Sequence, residues 1–285
     1  MPNFFKTAFL LTLLTVLIVG CGGLLGGRSG MTFAFVFAAV INFSVYWFSD
    51  KWVLSMHRAQ PLTEEQAPEV FEIVRQLSER AGIPTPKIYL LPSASANAFA
   101  TGRNPQHSAI AMTHGIVKLL NKEELEGVLG HELSHIQNRD ILLSTVTATL
   151  AGAFSMIANL SQGSLYWGGR GPEERSRTHP VALLFISIVM PVVAALIQFA
   201  VSRLREYEAD KGSAELCDNP LYLASALKKI QAASGQLPLR DAQPATAHLF
   251  IMNPLSGKGW TSLFNTHPPI EDRIARLAAM AIKAE

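Results

Sequence analysis

The chain has 285 residues, 49% of them hydrophobic and only 16% charged, with a mean hydropathy of +0.23. Soluble domains carry roughly a quarter charged residues, so this balance points to a membrane protein, and a net charge of +2 without a basic run excludes a nucleic-acid partner. Cys21 and Cys217 are the only cysteines, too few for a disulfide framework, and both read as free thiols.

Phe4 to Val19 is apolar apart from Lys6 and a few threonines, and the uncharged stretch continues past Cys21 to Gly27. This is long enough to cross a bilayer core of about 30 Å at about 1.5 Å per residue. Ile18-Val19-Gly20-Cys21 also fits a lipoprotein processing site, although the segment equally suits an uncleaved anchor. After the glycine-rich turn Gly22 to Gly30, Met31 to Phe48 forms a second uncharged span, and Tyr46, Trp47 and Trp52 suit an interfacial aromatic belt. Residues 1–49 therefore predict a transmembrane hairpin with spans at about 4–25 and 31–48.

From Asp50 the composition becomes that of a soluble domain. Thr63-Glu64-Glu65-Gln66 reads as a capping box, and Val70, Ile73, Val74 and Leu77 follow at helical spacing until Gly82. Lys87–Leu91, Asn97–Gly102 and Ser108–Thr113 read as three strands. Asn121, with acids in the turn behind it, caps a helix carrying Gly130-His131-Glu132-Leu133-Ser134-His135. His131 and His135 are four apart, so both imidazoles share one helix face and can reach one tetrahedral zinc, with Glu132 beside the metal. In H-E-x-x-H that glutamate takes a proton from metal-bound water, so Glu132 is the candidate general base.

Ile141 to Leu160 and Val181 to Ser202 are two further uncharged stretches, which predict a second transmembrane hairpin over 141–202. The first starts directly after Asp140, so the metal helix is expected to continue straight into it and the site to lie at the membrane surface. Two histidines leave a catalytic zinc one protein ligand short, and in Arg205-Glu206-Tyr207-Glu208-Ala209-Asp210 either Glu206 or Glu208 can supply a carboxylate. Glu206 and Asp210 share a helical face, which would let Asp210 accept a ring N–H from a ligating histidine. Asn219-Pro220 opens another helix, and Thr266-His267-Pro268-Pro269 opens the last. A lone histidine there is usually only a helix-start residue; in a zincin, His267 can stabilise the developing oxyanion. Lys6, Lys51, Arg58, Arg139, Arg203, Arg205 and Lys211 against Arg28, Arg170, Arg175 and Arg177 favour a catalytic lobe, built from residues 50–140 and 203–285, on the cytoplasmic side.

Four blocks in this order, Asn97-Ala-Phe-Ala-Thr-Gly102, Gly130-His-Glu-Leu-Ser-His-Ile-Gln-Asn-Arg-Asp140, Arg205-Glu-Tyr-Glu-Ala-Asp210 and Thr266-His-Pro-Pro269, resemble the HtpX-type membrane zinc metalloproteases, relatives of the CAAX prenyl endopeptidase. The resemblance covers essentially the whole chain. It implies an α+β, mainly helical fold, with a zincin-like lobe holding a small sheet and four transmembrane helices in two hairpins. It implies one zinc ion held by His131, His135 and Glu206, favours Glu206 over Glu208 because Glu206 and Asp210 fit the family's E-x-x-x-D, and makes Glu132 the base. It also implies an edge strand at Asn97, Ala98 and Phe99 that aligns an extended peptide by strand addition. The implied role is quality control in the bacterial inner membrane, with misfolded or damaged membrane proteins as substrates and the lipid bilayer as surroundings. Two rivals are an intramembrane protease, which the charges at Glu123, Glu124, Glu126, Arg139 and Asp140 oppose, and a non-catalytic scaffold with a structural zinc, which needs Glu208 or His267 as fourth ligand.

Overall fold

The computed structural model describes residues 3–151, 203–234, 246–252 and 268–284, and their fold is mainly helical with a small mixed sheet. The three apolar runs become β2 (Lys87–Leu91), β3 (Ala98–Asn104) and β4 (His107–Thr113), and a two-residue β1 (Gln60–Pro61) joins them. The order is β1-β2-β4-β3, with β2 parallel to β4 and the other pairs antiparallel, so β3 lies at an edge. Successive residues of a strand face opposite sides. Ile88, Ala98, Ala100, Ile110 and Met112 accordingly enter the main core, while Phe99, Ala109 and Ala111 enter a second cluster with Val53, Leu54 and Phe250. Both faces of the sheet are covered, which is why β3 and β4 read as continuous apolar runs.

The helices of the lobe are α2 (Pro68–Ala81), α3 (His114–Leu119), α4 (Lys122–Gln137), α5 (Ile141–Ala151), α6 (Arg203–Leu216), α7 (Pro220–Ser234) and α8 (Ile270–Ala284). The expected apolar face of α2 is buried, and Gly82 ends it at φ 65°. Its start differs from expectation. Thr63 to Gln66 closes a separate turn, Thr63 N to Gln66 Oε1 at 3.1 Å, and the helix begins at Pro68, whose ring presets φ and needs no capped N–H. The capping box instead sits on α4, where Asn121 Oδ1 accepts from Glu124 N at 2.9 Å and Glu124 Oε2 from Asn121 N at 3.0 Å.

α4 lies at the centre of the core, and its glycines decide what reaches it. A Cβ on Gly127 would fall 2.5 Å from Leu223 N of α7, and one on Gly130 would fall 2.9 Å from Cys217 Sγ and 3.1 Å from Ser213 Oγ of α6. Ser213 Oγ donates to Gly127 O at 2.7 Å across this close approach. Gly130→Val is therefore expected to wedge α6 away from α4, costing about 1–3 kcal/mol of stability and separating Glu206 from the histidines. Denaturant unfolding and metal content together check this, and a variant with unchanged metal affinity would refute the coupling.

The metal helix does not continue straight into the next apolar helix. α4 closes at Asn138, Arg139 adopts φ 57°, and Asp140 N bonds back to His135 O at 2.9 Å before α5 begins. The turn frees the Asp140 carboxylate to face the site.

The first two apolar stretches form α1 (Asn3–Met56), interrupted at Gly26 and Gly27. Gly27 holds φ 57° and ψ −141°, a region open essentially to glycine. The two arms pack back to back: Asn42 Nδ2 donates to Thr15 Oγ1 at 2.7 Å and to Leu11 O at 3.4 Å, and Leu14 and Val45 share a cluster with Val146 and Leu150 of α5. Large apolar side chains such as Phe33 (76% exposed), Phe9 and Phe43 cover the outside. Among the described residues one helix, Gly26–Met56, is long and apolar enough to cross a membrane. The expected third span is described over its first part, Ile141–Ala151, while residues 152–160, all of the expected fourth span and the 161–180 loop lie outside the described residues.

Candidate active site

His131 and His135 project from one face of α4 with ring centroids 4.7 Å apart. α6 brings Glu206 opposite them. His131 Nε2 lies 3.8 Å from Glu206 Oε2, and His135 Nε2 lies 3.6 Å from Glu206 Oε1. One donor atom from each of the three residues lies within 4.8 Å of the others. A tetrahedral zinc with bonds of about 2.0–2.1 Å has ligand atoms about 3.3 Å apart, so the cluster fits such an ion with a small closure.

The other ring nitrogens are held by carboxylates. His131 Nδ1 is 3.0 Å from Asp210 Oδ1, and His135 Nδ1 is 3.1 Å from Asp140 Oδ2. Each carboxylate favours the tautomer with hydrogen on Nδ1, which leaves the Nε2 lone pairs turned toward Glu206. Asp210 is fixed in turn by Arg273 of α8, whose Nη2 donates to Oδ1 at 2.6 Å and whose Nε donates to Oδ2 at 2.9 Å. This two-pronged contact is fully buried, Arg273 being 1% exposed. Arg205 Nη1 stands 3.8 Å from Asp140 Oδ1 on the other side.

Electrostatics distinguish the two rings. Burial lowers His131 to about 4, with the Arg273 charge adding to it against Asp210. Burial also opposes charge on His135, but the Asp140 hydrogen bond and the Glu206 carboxylate outweigh it and raise the ring to about 9. Burial pushes the Glu132 carboxyl up to about 7, against the charge of His135 and a hydrogen bond from the Ala100 backbone N–H. Burial likewise opposes charge on Asp210, yet Arg273 and His131 hold it below the usual carboxylate range. Four acids, Glu132, Asp140, Glu206 and Asp210, thus converge on two histidines and two arginines. A divalent ion between the Nε2 atoms and Glu206 would supply the positive charge that His135 otherwise takes up as a proton.

The structure brings together Glu132, His131, His135, Glu206 and Asp210 as the sequence pattern indicates. Glu208, the other carboxylate considered, is exposed and turned outward from α6. His267 lies outside the described residues. Ala98 and Phe99 open the edge strand and Asn97, expected as its first residue, directly precedes it, but all three are buried and their outer edge is occupied. Ile251 N donates to Ala98 O at 3.0 Å, and Asn97 Nδ2 donates to Met252 O at 2.9 Å. Sequence reasoning missed Asp140 and Arg273 as partners of the site. Asp140 stood in the quoted motif, but its role needs the turn at Arg139; Arg273 is 142 residues from His131 and carried no local signal. His248 and Leu249, which wall the pocket beside Glu132, were likewise unforeseen.

The model for peptidase family M48 matches residues 64–281. A protease HtpX homolog of Syntrophobacter fumaroxidans is 51% identical over 282 residues, covering 98% of this chain and 100% of that one. The HtpX homolog of Ralstonia pickettii is 50% identical over 283 residues, with 99% and 98% covered. The crystal structure of S. mikatae Ste24p shares the fold at a TM-score of 0.54 and 18% identity, over 97% of this chain and 67% of that one.

Proposed function

The chain belongs to the metalloproteases of peptidase family M48, alongside the HtpX proteases, and on that premise we propose that it is an integral membrane, zinc-dependent endopeptidase. Its substrates in this reading are misfolded or damaged membrane proteins, and its place is the bacterial inner membrane, crossed by four helices with the catalytic lobe in the cytoplasm. The observation that carries the enzymatic part is the cluster of His131, His135 and Glu206 with both Nδ1 atoms tied to carboxylates and Glu132 alongside. The exposed apolar surface of α1 supports the membrane part, since water disfavours that much contiguous hydrocarbon.

His131, His135 and Glu206 would hold the zinc, which when bound supplies Lewis-acid polarisation of the scissile carbonyl and an acidified water. Asp210 and Asp140 keep the rings in the ligating tautomer, and Arg273 keeps Asp210 in place. Glu132 accepts the proton of the attacking water on its carboxylate and returns it to the leaving amine. His267 would donate to the oxyanion of the tetrahedral intermediate, and Asn97, Ala98 and Phe99 would present the edge on which the substrate is aligned.

The scaffold reading requires a fourth protein ligand, Glu208 or His267; Glu208 is exposed on α6, and His267 lies outside the described residues. The full chain purified in detergent is expected to cleave casein, to lose at least 90% of that activity (about 1.4 kcal/mol per tenfold step) on chelation, and to regain it with zinc. Cleavage indifferent to the chelator would overturn the metal assignment, and no cleavage with stoichiometric zinc bound would overturn the peptidase reading.

A further inference from the structure

Resting on that peptidase reading, we propose that residues 246–252 are an intramolecular strap, seated where a substrate strand would lie and displaced before a peptide is cut. Asn97 O accepts from Thr113 N, and Phe99 and Thr101 pair with Ala111 and Ala109, so these residues direct their main-chain groups toward β4. The main-chain groups of Ala98, Ala100 and Gly102 therefore face outward, where an added strand would bond. Each is already engaged. Ala98 O accepts from Ile251 N at 3.0 Å, Ala100 N–H bonds the Glu132 carboxylate, and Gly102 N donates to Thr145 Oγ1 at 3.3 Å.

The strap supplies the contacts expected of a bound peptide. Its main chain continues from Ile251 to Met252, whose O and N are bracketed by the Asn97 amide at 2.9 and 3.4 Å. His248 and Leu249 fill the side of the pocket facing Glu132, His135 and Glu206. Phe250 packs edge-on against Phe99 and against His57, both at 5.2 Å, and Thr246 Oγ1 lies 3.0 Å from His57 Nε2. Arg273, which orders Asp210, also donates through Nη1 to Ile251 O at 3.1 Å. His131, His135 and Glu206 thus stand together while the peptide-aligning edge is closed, the arrangement of a latent hydrolase. An incoming extended chain replaces the strap's contacts in kind, a main-chain N–H on Ala98 O and an apolar side chain in the pocket.

Ala98 and Ile251 are joined by the 3.0 Å main-chain hydrogen bond and belong to one core cluster, which makes them the pair for a test crosslink. The test is the full chain in detergent carrying Ala98→Cys and Ile251→Cys, with Cys21→Ser and Cys217→Ser. With the crosslink verified by mass, casein cleavage is expected to fall at least tenfold and to return on reduction. Equal cleavage by the crosslinked and reduced forms would make the segment a fixed wall and overturn the proposal. Should the reduced double variant fail to cleave, Phe250→Ala alone decides: loss of its clamp on Phe99 and His57 is expected to raise casein cleavage severalfold at unchanged zinc content. An unchanged or lower rate would overturn the strap. If neither wild type nor any variant cleaves despite bound zinc, the peptidase reading falls, and the strap with it; wild-type cleavage beside equal cleavage by the crosslinked form sinks the strap alone.

Discussion

Glu132→Gln is expected to bind zinc as the wild type does and to lose about a thousandfold in peptidase rate. The substitution keeps the volume of a side chain that is 2% exposed and leaves the Nε2 atoms and Glu206 untouched, so metal affinity has no reason to change. The carboxamide has no basic oxygen with which to accept a proton, and no other described carboxylate beside the pocket is uncommitted. Glu206 belongs to the metal cluster, and Asp140 and Asp210 hold ring nitrogens. Burial that lifts Glu132 to about 7 also suits it to its task, because a base with a pKa near the working pH can both take and return the proton. Zinc content by atomic emission and casein cleavage on the same preparation check the two halves of this result. Activity near that of the wild type would remove Glu132 as the base.

Arg273→Met is expected to be the most damaging substitution for stability, at about 3–5 kcal/mol, because it removes one partner of a buried ion pair and strands Asp210. Arg273 bonds both oxygens of Asp210, reaches Ile251 O, and stands 3.7 Å from Glu206 Oε2, so one side chain neutralises α6 while joining it to α8. Arg273→Lys separates structure from function. It keeps the charge but loses the planar two-pronged contact, so His131 is less firmly held in its ligating tautomer. Zinc affinity is expected to fall about 10–100-fold in the lysine variant with a much smaller loss of stability. Denaturant midpoints and zinc titration of both variants test this, and a lysine variant with wild-type zinc affinity would refute the positioning role.

The local rules were strong wherever one segment sufficed. Four-residue spacing put His131 and His135 on one face, Asn121 marked the start of that helix, and Gly82 marked the end of another, because caps and periodicity are short-range physics. Strand positions were equally legible from apolar runs, and β3 emerged at the edge of the sheet. The block around Glu206 offers two carboxylates, and likeness to a family favours Glu206 over Glu208; in the structure α6 packs on α4 with Glu206 turned toward the histidines and Glu208 exposed.

The sequence by itself therefore determined the helix that carries His131, Glu132 and His135, the apolar character of the N-terminal stretch and the family. Tertiary structure alone decided what holds those residues in place. Asp140 reaches His135 only because Arg139 turns left-handed, Arg273 reaches Asp210 only because α8 docks beside α6, and Ile251 meets Ala98 across 153 positions of sequence. Each of these is a charge or an amide whose burial is tolerable only with its distant partner in place, and such pairing leaves no periodic mark on the chain.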